Sequence, residues 1–279
     1  MSLHEDLIGA HPSAPNQFAR WMDSSDIEPT DARCHRALTS KLAADEPALI
    51  EWLAEKLIHH HYDQIRIDRL KQKYREAGFP DYAEQNRNLP RADKTKKGNA
   101  TEILLIEYIK SCQGKPLVHA FKLRYNPNVD QSVKGDDTLL VDILTDAAGT
   151  QRLKIFLGEA KFRKLPAKKV ITDITQSLGK DKLPLSFSYM ISELSRDAAT
   201  KPTADLLDNF LISEIKSRGD IIYTGLLLSN TDTFNVVERH LTADNPEMIF
   251  ISAGIDNPQT LIDQAFLRAE AMLANPETL

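Results

Sequence analysis

Apolar positions recur at a helical period in three stretches of the chain. Leu49, Ile50, Leu53 and Leu57 share one helix face, and Pro47 suits the first turn of that helix. The pattern predicts a helix that runs past His59-His60-His61 to about Glu76 and ends at Gly78 and Pro80. A shorter helix is expected over residues 98–109, capped by Asn99 or Thr101. Glu102, Leu105, Ile106 and Ile109 fall at i, i+3, i+4 and i+7, so Glu102 should face inward while Glu107 lies off the stripe. The third stretch, residues 259–273, forms an amphipathic helix near the C-terminus.

Between these stretches the period drops to two. Residues 117–125, 138–144 and 153–162 read as strands, with Gly149 suiting a turn between the last two. A helix follows at about residues 168–178, then a less regular helical region over 190–216, and strands at 220–229 and 248–255. Pro12, Pro15 and Pro29 interrupt residues 1–43, where strand or loop packing is expected without a definable pattern. The whole reads as an α/β (α+β) chain, divided into a largely helical extension over residues 1–95 and a larger unit over 96–279.

The strand at 153–162 organises the rest. Leu153, Ile155, Leu157, Glu159 and Lys161 share one face; Phe156, Gly158, Ala160 and Phe162 share the other with Lys154. Two apolar faces mark a central strand, and burying a carboxylate and an ammonium at its end costs several kcal/mol per ion unless a partner compensates. A bound cation is such a partner.

Pairing arithmetic adds a neighbour. A symmetric connection over 145–152 sets residue 144 opposite 153, Asp137 opposite Ala160, and Asp142 opposite Ile155. Asp137 is then one residue from Glu159 in register, whereas Asp142 is roughly 13 Å away along the strand at ~3.3 Å per residue, too far to share an ion. A bulge would bring Asp136 forward instead. Asp137, Glu159 and inward Glu102 form an oxygen-rich corner suited to Mg²⁺ or Mn²⁺. Lys161 would orient and deprotonate a water or hold a phosphate, and the parts together describe phosphodiester hydrolysis.

Charge sharpens that picture. The 279 residues carry a net charge of −5, which argues against coating nucleic acid with the whole surface. Yet Lys161, Arg163, Lys164, Lys168 and Lys169 form a run without an acid, and Lys97 ends another basic stretch. These cations are the candidate nucleic-acid contacts. Cys34 and Cys112 read as reduced thiols, three consecutive histidines point around a helix instead of toward one ion, and no GxxxxGK[ST], HExxH or GxSxG motif occurs. With neither a signal peptide nor a long apolar run, a cytoplasmic protein without membrane contact is expected.

The order of elements, with Gly135-Asp136-Asp137 on one strand and Gly158-Glu159-Ala160-Lys161 on the next, resembles the PD-(D/E)xK nuclease core, a restriction-endonuclease-like αβββαβ arrangement with a mixed central sheet. Here it would carry a helical N-terminal extension and a C-terminal strand and helix. KGNATEILLIEYI, KGDD and LGEAKFR are similar, more narrowly, to the HamA family of effector nucleases from Hachiman anti-phage systems. The resemblance implies DNA as substrate, Asp137 and Glu159 as metal ligands, Lys161 as the catalytic lysine, Glu102 as an accessory ligand or water-orienting acid, and a superfamily 2 helicase, HamB, as restraining partner. It also implies a supporting role for Gln176 on the following helix. Gly135 and Asp136 stand where the superfamily usually has proline, so the choice between Asp136 and Asp137 stays open. The rival expectation is a non-catalytic adaptor that keeps the fold and binds a partner, motivated by the acidic net charge and long flanks.

Overall fold

A computed structural model describes residues 2–77, 85–126, 128–131, 135–180, 182–210 and 220–275. Its centre is a seven-stranded mixed sheet in the order β1-β2-β7-β6-β5-β4-β3. The strands are β1 (Met22–Thr30), β2 (Arg33–Ser40), β3 (Val118–His119), β4 (Thr138–Thr145), β5 (Gln151–Phe162), β6 (Ile221–Ser229) and β7 (Met248–Gly254). β2, β7, β6 and β5 run parallel, and the hairpins β1–β2 and β3–β4–β5 flank them. The mixed α/β architecture matches the pattern of periods in the chain.

Helices cover both faces. On one lie α1 (Leu3–Ile8), α2 (Gln17–Trp21), α3 (Pro47–His61), α4 (Gln64–Ala77), α5 (Asp93–Gln113) and α10 (Pro258–Ala274), which pack with Phe156, Ala160 and Leu226. On the other lie α6 (Lys168–Ser177), α7 (Phe187–Leu194), α8 (Lys201–Phe210) and α9 (Thr233–His240), which pack with Ile155, Leu157 and Leu227. β5 is therefore covered on both sides, as its two apolar faces require. Among the described residues no helix is long and apolar enough to cross a membrane.

Four details depart from expectation. The first long helix breaks after His61, because Tyr62 adopts an extended backbone and Asp63 begins a new helix by accepting from the Arg66 N–H at 2.7 Å. Its predicted end at Gly78 and Pro80 lies outside the described residues. α5 starts at Asp93, five residues earlier than predicted, so Asn99 and Thr101 are interior and cap nothing. Its cap comes from Asp130, whose Oδ1 accepts from the Ala92 N–H at 2.9 Å. The strand predicted over 117–125 shrinks to β3 and a 3₁₀ turn at Lys122–Tyr125. Finally, Thr138 pairs with Gly158 and Asp142 with Lys154, a shift of one from the predicted register. The cause is the turn: Asp146 Oδ1 accepts from the N–H groups of Ala148 and Thr150, so both strands run on to Thr145 and Gln151.

The first ninety-five residues contribute more than helices. β1 and β2 extend the central sheet, and β2 pairs directly with β7.

Candidate functional site

The shifted register has a chemical consequence. Carried one residue beyond the Thr138–Gly158 pair, it sets Asp137 directly opposite Glu159 instead of diagonal to it. Asp137 Oδ2 accepts from the Ala160 N–H at 3.0 Å, and Lys161 Nζ stands 3.6 Å from Asp137 while forming an ion pair with Glu159. Glu159 Oε2 also accepts from the Ser177 hydroxyl at 3.0 Å.

Glu102 arrives from the helix above. α5 packs tightly on β5 at Gly158, where an added Cβ would stand 2.8 Å from Leu105 Cδ2. Glu102, one turn before Leu105, is thereby placed over the strand ends, buried as its stripe predicted. Burial pushes its carboxyl up to about 8, opposed by Lys122 and reinforced by the charges of Asp137 and Glu159. Lys161 shows the complement: burial alone would lower its ammonium, but Asp137 and Glu159 hold it above the ordinary lysine range.

Glu102, Asp137 and Lys161 line a cleft of about 230 Å³ together with Lys94, Lys97 and Arg163. Lys97 is half-buried with its ammonium 5.6 Å from the centre of the Phe162 ring. Arg163, Lys164, Lys168 and Lys169 are exposed, and Arg163 lines the cleft mouth.

Other expected residues sit elsewhere. Asp136 is buried and faces away from Glu159, its Oδ2 accepting from the Ser186 N–H at 2.8 Å while its own N–H donates to Ser186 Oγ at 3.0 Å. Of the two aspartates, Asp137 is the one in the cleft. Gln176 is exposed on α6, and the neighbouring Ser177 makes the contact to Glu159. Asp142 pairs with Lys115 farther along the strand. Sequence reasoning missed Lys122, which bonds Glu102 Oε2 at 3.2 Å and the Asp136 carbonyl at 2.7 Å; a single lysine in an aperiodic turn carries no signal.

The donor set is all carboxylate oxygen, which fits a hard cation such as Mg²⁺ or Mn²⁺. Among the described residues no three His, Cys, Asp or Glu side chains stand at metal-ligating spacing. The space between Asp137 and Glu159 is taken by the Lys161 ammonium, itself a cation held by both. A positive charge is thus what this corner is built to accept.

Comparison with known proteins gives concordant findings. A family model described as HamA matches residues 16–269. Over 279 residues the chain is 36% identical to a Hachiman protein HamA of Bacillus cereus, across 98% of this chain and 97% of that protein.

Proposed function

The chain belongs to the HamA family, and from that membership we propose that it is the metal-dependent nuclease of a Hachiman-type anti-phage defence system. Its substrate is DNA, and a HamB-like superfamily 2 helicase restrains it. The juxtaposition of Asp137, Glu159 and Lys161 beside a basic cleft carries the reading. It resembles the constellation of the PD-(D/E)xK nucleases.

Asp137 and Glu159 would hold Mg²⁺ or Mn²⁺, with Glu102 as accessory ligand or water-orienting acid. The ion supplies Lewis-acid polarisation of a phosphoryl oxygen and an acidified water. Lys161 keeps its proton beside two carboxylates and presents that charge to the scissile phosphate. Ser177 holds Glu159 in place. Lys97, Arg163, Lys164, Lys168 and Lys169 neutralise backbone phosphates on either side of the cut, contacts that position DNA without reading its sequence.

The test is cleavage of plasmid DNA with Mg²⁺, with and without the partner, by wild type, Glu159→Ala and Lys161→Ala. Each variant is expected to lose about a hundredfold or more in rate. Equal cleavage by all three sinks the reading, and full defence activity from such variants favours the adaptor.

A further inference from the structure

Two lysines serve three carboxylates in this corner, and they are held differently. Lys161 is one-third exposed, with a side-chain accessibility of 33%, and its ammonium borders the open cleft. Lys122 and Glu102 are enclosed, at 11% and 10%. The Lys122 ammonium donates to Glu102 Oε2 at 3.2 Å and to the Asp136 carbonyl at 2.7 Å, so it ties helix α5 to the backbone just before Asp137.

Beside this bond is a cavity of about 20 Å³ lined by Glu102, Lys122, Asp136 and Asp137. That space holds about one water molecule. A hydrated divalent ion keeps several waters and does not fit there while Lys122 is in place. Admitting one would also mean breaking the bond to the Asp136 carbonyl and leaving a desolvated ammonium without its partners.

We propose that Lys122 is a positioning residue that serves as a fixed internal cation beside Glu102, in the place a second divalent ion would occupy, leaving a one-ion site formed by Asp137 and Glu159. The inference rests on the nuclease reading of the corner and narrows it. Glu102 then holds Lys122, and through it the Asp137 backbone, without ligating the ion. Lys161 is the lysine that gives way when the ion enters, because its side chain has open cleft to move into.

Calorimetric titration of Mn²⁺ into the full chain separates the possibilities, with wild type, Glu102→Gln, Lys122→Met and Lys122→Arg compared. Wild type should bind one ion. Glu102→Gln, nearly isosteric, should bind one ion with an affinity loss of less than about tenfold. Lys122→Met should gain a second ion at the freed carboxylate, and Lys122→Arg, which keeps the charge, should remain at one. Two ions in the wild type, a larger affinity loss in Glu102→Gln, or a single ion in folded Lys122→Met overturns the inference while leaving the nuclease reading intact. Should Lys122→Met fail to fold, Glu102→Gln decides alone. A wild type that binds no Mn²⁺ and cuts no DNA fails the nuclease reading instead. In that case one ion gained by Lys122→Met supports the role of Lys122, and none overturns it.

Discussion

His61 joins α3 to α5 in its neutral form. Its Nδ1–H donates to the Leu57 carbonyl at 2.7 Å, and Nε2 accepts from the Asn99 amide at 3.0 Å, which leaves no site for a second proton. Burial pushes its pKa down to about 4 from the ordinary 6.5. Between those values the unfolded chain binds the extra proton and the folded one does not, so the contribution is complete above about pH 6.5 and is lost as pH falls toward 4. The magnitude is on the order of 3 kcal/mol. The Tm of the wild type should drop across that window, and His61→Gln should show a shallower drop. At this scale the acids and Lys161 were legible because a strand pattern put charges where a core should be. Ser177 and Lys122 were not. Ser177 is one residue from the expected Gln176, and only the phase of α6 against β5 decides which of the two meets Glu159. Lys122 acts through a contact between segments twenty residues apart in sequence.

The alignment of α5 on β5 hinges on a missing methyl group. A Cβ at Gly158 would stand 2.8 Å from both Leu105 Cδ2 and Thr138 Cβ and 2.9 Å from Thr224 Oγ1, hemmed in on three sides. Gly158→Ala should therefore destabilise the fold by about 1–3 kcal/mol, visible in thermal melts as a Tm several degrees lower. Retention of the wild-type Tm would show that α5 can shift away at no cost. Element types were readable from period alone for β4, β5, β6, β7 and α10. Boundaries and register were not, because distant or side-chain groups fix them. Asp130 caps α5 from nearly forty residues away, and Asp146 converts a symmetric eight-residue connection into a shorter one. The one-residue slip kept the same two acids together and brought Asp137 directly opposite Glu159.

For the whole molecule, charge is divided between an acidic total and a basic cleft rim. If the exposed basic run that continues from the cleft tracks phosphates, replacing Lys164, Lys168 and Lys169 together by alanine should weaken DNA binding on all sequences alike. The slope of log affinity against log salt should become shallower by about 3. An unchanged slope in a binding titration would remove those lysines from the track. Residues 1–43 showed little because their order comes from partners far along the chain. His35 gives its Nδ1–H to Glu238 at 2.6 Å and accepts from the Ser252 hydroxyl at 2.7 Å. This is a hydrolase-like relay with His35 and Ser252 sealed at 1% exposure, and it serves as a fastener between β2, β7 and α9. Arg36 on β2 lies beside Ile251 on β7 in register. On the ribosome, β2 emerges early and must wait for more than two hundred further residues before its parallel neighbour exists. Such high contact order slows folding. Until β7 is made, β6 presents a bare edge to proteases and chaperones. The central sheet is thus completed only once β7 has been made and has entered between β2 and β6.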